Sequence, residues 1–255
     1  MKFSIDPSGL SRLSKRPLVD LPVPLALPCG KKILVFAPHA DDETIGCGGT
    51  LLRLKDQGCA IQVVFVTDGS GGDPHHLVQG EVIRVRREEA LQAMALLGGE
   101  PPIFLDFVDG GIDPRDRRLY QALSSAIEAF SPDWILTPGL QESHRDHLIV
   151  GTLLKQIWRR KGSSARFFFY EVAGGFFPNR VVDITAVMAR KRQLLDCYHL
   201  PLHYVDYQGA MEGRAKVRGL QFEKSPEGHF GEAFEEIVSD DFGVSFRAFR
   251  QFLGV

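Results

Sequence analysis

The chain has 255 residues, 44% of them apolar, with 30 basic and 32 acidic side chains and a formal charge of −2. That length suits one large domain with a sizeable core, and nothing in the charge balance points to nucleic acid or an anionic membrane as the main partner, so neither is expected. No apolar run approaches the roughly 18 residues of a membrane span, so no integral membrane segment is expected.

Residues 1–30 read as an extended N-terminal arm. Lys2, Arg12, Lys15 and Arg16 would suit a secretory leader, but the apolar piece at 21–28 carries Pro22, Pro24 and Pro28. Each proline lacks the backbone donor that a helical leader needs. Cys29, Cys47, Cys59 and Cys197 form no CxxC pair, which fits free thiols in a reducing compartment, and the expected location is the cytoplasm.

The organised domain is expected over 31–200. Residues 33–37 are an apolar run closed by Pro38, the pattern of a strand buried on both faces. A helix follows over 45–55, a strand over 61–66 and a Gly-rich loop over 68–80. Residues 83–97 read as a helix stopped by Gly98-Gly99, 103–105 as a strand, 119–130 as a helix, 134–137 as a strand and 147–160 as a helix. Strands at 166–170 and 180–184 and a helix at 186–198 complete the series. This alternation predicts an α/β fold with a mainly parallel sheet and helices on both faces. Residues 201–255 are expected as a C-terminal extension packing on the same domain, with an amphipathic helix around 246–250.

Two clusters of polar residues follow strands. Pro38-His39-Ala40-Asp41-Asp42-Glu43 comes directly after the first strand, at the sheet edge where parallel folds bind ligands. Like charges about 6 Å apart repel by about 3 kcal/mol at an effective dielectric near 20, whereas a helix N-terminus offsets only about 0.3–1 kcal/mol for an exposed carboxylate. Capping accounts for one acid; three acids and a histidine point to a cation. Asp42, Ile45, Gly49 and Leu52 share one helical face, and Gly46, Gly48 and Gly49 would let that helix approach the sheet closely. The plain alternative is an N-cap with a histidine beside it.

The second cluster, His144-Arg145-Asp146-His147, opens the helix after the fourth strand. His147 lies on the apolar face marked by Val150, Leu154 and Trp158. Asp146 suits an N-cap or a hydrogen bond that orients a histidine. Each histidine alone reads as an ordinary polar residue. Together, His39, Asp42 and His147 make a set of two nitrogens and one oxygen that leaves positions open, as catalytic zinc (Zn2+) requires.

With these residues in view, Pro38 to Glu43 resembles the (P/A)HPDDE motif, and His144 to His147 the HPDH motif, of the LmbE/PIG-L-like de-N-acetylases. These act on N-acetylglucosaminyl-phosphatidylinositol, on thiol-cofactor precursors and on small oligosaccharides. Weaker likeness runs through Thr67-Asp68-Gly69, Arg86 to Glu89, Asp109-Gly110 and Val182 to Thr185, so that most of 31–200 is covered. Ala40 and Arg145 stand where the family usually has proline. The resemblance implies a Rossmann-like fold and zinc held by His39, Asp42 and His147. It also implies Asp41 as general base, a protonated His144 held by Asp146 and stabilising the oxyanion, and Arg86 and Asp109 near a sugar. The implied reaction removes an N-acetyl group from a small amino sugar or glycoconjugate.

Weaker signals have two readings each. Arg86 suits a structural pair with Glu89 or a substrate contact at the rim, and Asp109-Gly110-Gly111 is by itself a turn. Residues 167–170 read as a core strand, and Phe176-Phe177 as lining for a substrate mouth. Arg214 and Arg218 suit a solvated helix face or a contact to a substrate anion. Two other functions stay open at this level: a mononuclear iron(II) oxygenase, which uses the same ligand types, and a non-catalytic sugar- or nucleotide-binding module. A homo-oligomer is also left open.

Overall fold

The computed structural model describes residues 22–175, 177–222 and 228–237. Most of the N-terminal arm, Phe176 and the helix expected around 246–250 lie outside the described residues. The first elements are β1 (Val23–Pro24), β2 (Lys32–Ala37), α1 (Asp42–Asp56), β3 (Ala60–Thr67), α2 (Val82–Leu97) and β4 (Ile103–Phe107). They are followed by α3 (Arg117–Phe130), β5 (Trp134–Pro138), α4 (Arg145–Arg160), β6 (Arg166–Tyr170) and β7 (Arg180–Asp183). A short 3-10 turn leads to α5 (Met188–Asp196), α6 (His199–Tyr204), α7 (Tyr207–Gly219) and β8 (Gly231–Ile237).

The strands form one sheet in the order β1-β7-β8-β6-β5-β2-β3-β4. Ladders within β6-β5-β2-β3-β4, and that between β1 and β7, are parallel; β8 runs antiparallel to β6 and β7. The result is a single α/β domain. Successive side chains of a strand point to opposite faces, so Ile33, Val35 and Ala37 enter one core while Leu34 and Phe36 enter the other. Phe168 and Tyr170 divide from Phe167 and Phe169 in the same way. The first core is covered by apolar residues of α1, α2, α5 and α7, the second by those of α3 and α4.

Two boundaries differ from the sequence pattern for local reasons. The helix expected at 45–55 begins at Asp42, which puts two acids in its first turn, where the helix dipole favours them. The helix expected at 186–198 ends at Asp196 and gives way to α6, because Pro201 has no N–H to offer the carbonyl of Cys197. The largest departure is β8. It lies between β6 and β7, so residues 231–237 are an integral strand of the sheet and not an addition to its outside. No helix among the described residues is long and apolar enough to cross a membrane.

Candidate active site

β2 and β5 are neighbours, and the chain leaves them in opposite directions. The next strand after β2 is β3 on one side; the next after β5 is β6 on the other. Such a reversal opens a crevice beyond the carboxyl ends of the two strands, where α/β sheets bind ligands. This topology explains how residues about a hundred positions apart meet. The loop after β2 carries His39, Asp41 and Asp42, and the loop after β5 carries Glu142, His144, Asp146 and His147. The N-termini of α1 and α4 both open onto that crevice.

Three atoms form a nearly equilateral triangle. His39 Nδ1 is 3.3 Å from Asp42 Oδ2, His147 Nε2 is 3.2 Å from the same oxygen, and the two nitrogens are 3.2 Å apart. Zinc bonds of about 2.0–2.1 Å to nitrogen or oxygen in tetrahedral geometry give ligand-to-ligand edges of about 3.3–3.4 Å. The triangle fits one face of such a tetrahedron. All three side chains are nearly buried. His144, by contrast, is exposed, and one of its ring nitrogens comes within 4.8 Å of a ring nitrogen of His39 and of His147.

Each charge in the triangle is set by its neighbours. Burial opposes a charged His39, yet Asp109, Asp146 and Asp42 outweigh it and hold the imidazole well above its ordinary value. Burial likewise opposes a charged His147, but Asp42 and Glu142 raise it to about 9. Burial would raise Asp42, and the two histidines instead pull it far below the carboxylate range. A divalent ion would replace the protons that now balance this acid.

Asp41 sits beside the triangle and behaves differently. Burial raises its carboxyl to about 6, although Arg86 pulls the other way. Its backbone has φ 137°, a strained conformation for a side chain other than glycine. Glu43 and Arg86 hold it there. Glu43 accepts the Asp41 N–H at 3.2 Å and is anchored by the hydroxyls of Tyr198 and Thr44, each at 2.6 Å. The third acid of the cluster therefore turns away from the triangle.

Several residues do not stand where the sequence suggested. Arg86 is buried behind Asp41, with Nη2 3.0 Å from Asp41 Oδ2, a further bond to the Ala40 carbonyl and Nη1 3.3 Å from Glu89. Its guanidinium is buried against these partners. Asp109 Oδ1 is 3.1 Å from His39 Nε2; its backbone N–H donates to Asp68. Asp146 does not cap α4, and it meets the His144 ring through its backbone N–H and not through its carboxylate. His144 is the N-cap, its Nδ1 accepting the Asp146 N–H at 3.2 Å, while the Asp146 carboxylate accepts the Gly110 N–H at 2.8 Å and lies 3.5 Å from His39 Nε2. Burial and the nearby His39 and His147 lower the His144 pKa. With Nδ1 accepting the Asp146 N–H, the His144 ring has Nε2 left as its donor.

Glu142 carries no signal in the sequence. An acid in a polar loop reads as solvated, yet this one is buried and accepts the N–H groups of Val172, Ala173 and Gly174. Arg214 and Arg218 bond Val172 and Glu171.

Residues 34–158 match the family model described as PIG-L: GlcNAc-PI de-N-acetylase. The chain is 30% identical over 222 residues to the diacetylchitobiose deacetylase of Thermococcus kodakarensis, covering 75% of this chain and 83% of that protein. It is 24% identical over 219 residues to the 4-oxalmesaconate hydratase of Pseudomonas putida, covering 76% and 82%. Among solved structures, the N,N'-diacetylchitobiose deacetylase of Pyrococcus horikoshii superposes with a TM-score of 0.71 at 24% identity, over 81% of this chain and 84% of that one.

Proposed function

The chain belongs to the PIG-L (LmbE-like) deacetylase family, and from that premise we propose that it is a zinc-dependent hydrolase. Its proposed substrate is an N-acetylated amino sugar or glycoconjugate of the N-acetylglucosamine type, from which it releases acetate and a free amine. The observation that carries this reading is the His39, Asp42 and His147 triangle beside a buried carboxylic acid that takes no part in it. The name of the relative from Thermococcus kodakarensis supports the substrate class. Four free cysteines support a cytoplasmic location.

His39, Asp42 and His147 would hold the ion. When bound, zinc supplies Lewis acidity for an amide carbonyl and lowers the pKa of water towards about 7. Asp41 takes the proton of the attacking water and later returns it to the leaving amine. His144 donates from Nε2 to the oxygen that becomes negative, a contact commonly worth about 2.7–4 kcal/mol. Arg86 and Glu43 fix Asp41 in place, and Asp109 and Asp146 orient His39 through its Nε2.

The test is acetate release from N-acetylglucosamine, N,N'-diacetylchitobiose and N-acetylglucosaminyl lipids, with metal content measured on the same preparation. Zinc at one per chain with acetate release is the expected result. Turnover that survives chelation would overturn the metal role, iron with oxygen consumption would favour an oxygenase, and hydration of a double bond without acetate would favour the chemistry of the hydratase relative.

A further inference from the structure

Glu142 is a buried acid that the proposed function leaves without a part. Its side chain is 2% exposed. The carboxylate accepts three consecutive backbone donors, from Val172 at 2.7 Å, Ala173 at 2.9 Å and Gly174 at 2.8 Å. These belong to the segment that leaves the carboxyl end of β6, next to the crevice. The packing there is tight: a Cβ on Gly174 would lie 2.9 Å from the Glu142 Cα.

The same oxygen that accepts from Ala173 and Gly174, Oε2, lies 3.7 Å from His147 Nδ1. That nitrogen is buried and has no hydrogen-bond partner among the described residues, while Nε2 of the same ring points into the triangle. A neutral acceptor would suffice to tether a loop. A full negative charge facing an imidazole nitrogen does something more, because it selects the tautomer with the proton on that nitrogen.

We propose that Glu142 is a positioning residue for His147. It keeps the ring proton on Nδ1, so that Nε2 offers its lone pair to the ion, and it fixes the 172–174 segment to the same ring. The proposal rests on the metal reading above. It makes the segment and the ion one linked unit: binding of the ion tightens the segment, and loss of the tether weakens the ion, by the reciprocity of coupled equilibria.

The experiment uses the full chain, stripped of metal and titrated with Zn2+ against a chromophoric chelator, with amide exchange of 172–174 followed with and without Zn2+. Glu142→Gln keeps the volume and one accepting oxygen but removes the charge; Glu142→Ala removes the tether entirely. The expected result for Glu142→Gln is zinc binding weaker by about 10–100-fold, and loss of the zinc-dependent slowing of exchange that the parental chain shows. If Glu142→Ala does not fold, Glu142→Gln alone decides. Faster exchange at 172–174 with zinc affinity within about twofold of the parent overturns the proposal and leaves Glu142 a loop tether. A parental chain that binds no zinc overturns the metal reading itself, and is told apart because the failure then precedes any substitution.

Discussion

Burial lifts the Asp41 carboxyl to about 6 against the pull of Arg86, whose Nη2 is 3.0 Å away. A general base works only when unprotonated, so activity is present above this pKa and falls about tenfold per pH unit below it. A bound cation favours the charged form, which places the acid limb of kcat/KM at or below about 6. Replacing Arg86 with Met removes the group that lowers Asp41, and the limb should move to higher pH; a pH profile that stays put would show that Arg86 does not hold the base. Asp41→Asn should keep its zinc and lose about 100- to 10,000-fold in kcat, read by metal analysis and steady-state rates on one sample. In the metal-free site His147 is raised to about 9 and His39 is held well above its ordinary value, both by neighbouring carboxylates. The entering ion should therefore displace protons from the two histidines, and calorimetry in buffers of different ionisation enthalpy would count them; binding with no proton release would contradict this account.

At the scale of elements, α1 decides whether the two loops can meet. A Cβ on Gly46 would lie 2.4 Å from the Tyr170 ring and 3.0 Å from the Glu171 carbonyl. Tyr170 has little freedom to move, since it is fully buried and its hydroxyl donates to the Phe36 carbonyl at 2.9 Å. Gly46→Ala gains up to about 1 kcal/mol of helix propensity but overpacks the core by about 1–3 kcal/mol, so a net loss of stability is expected in urea denaturation, together with weaker zinc binding as Asp42 shifts. An unchanged or raised midpoint would contradict this account of the packing. The sequence made much of this arrangement readable. The apolar runs at 33–37 and 134–137, each followed at once by histidine- and acid-bearing turns, carry strand type, sheet edge and cluster together. Gly46 and Gly49 do approach β6 and the residues after β7, whereas Gly48 meets only ordinary contacts. What stayed hidden depends on tertiary partners: Arg86 sits on an apolar helical stripe, but only the folded chain shows that Asp41 is its partner. Asp146 looked like a cap because its neighbour His144, a rarer capping type, takes that place.

For the molecule as a whole, the strand least legible in the sequence is the one that closes the structure. β8 inserts antiparallel between β6 and β7 and carries Glu232 under α1. Glu232 Oε1 is 2.6 Å from Lys191 Nζ, with the two side chains 3% and 1% exposed. The carboxylate also accepts the N–H groups of Gly49 at 2.8 Å and Thr50 at 2.6 Å, while Lys191 donates to the Ile45 carbonyl at 2.8 Å. One ion pair thus joins α5, β8 and the middle of the helix whose first turn bears Asp42. Removing either partner strands a charge in the core, so Glu232→Ala or Lys191→Ala should cost about 3–5 kcal/mol. The double variant Lys191→Met with Glu232→Leu removes both charges and fills the space. It should lose much less than the sum of the two single losses, because a buried pair is often replaceable by apolar groups of similar size. Urea denaturation of the two single variants and the double one measures the coupling directly. Single losses below about 1 kcal/mol, or strictly additive ones, would mean that the pair is solvated enough to be dispensable. The link from residue 232 to the start of the site would then have to run through the β8 backbone alone.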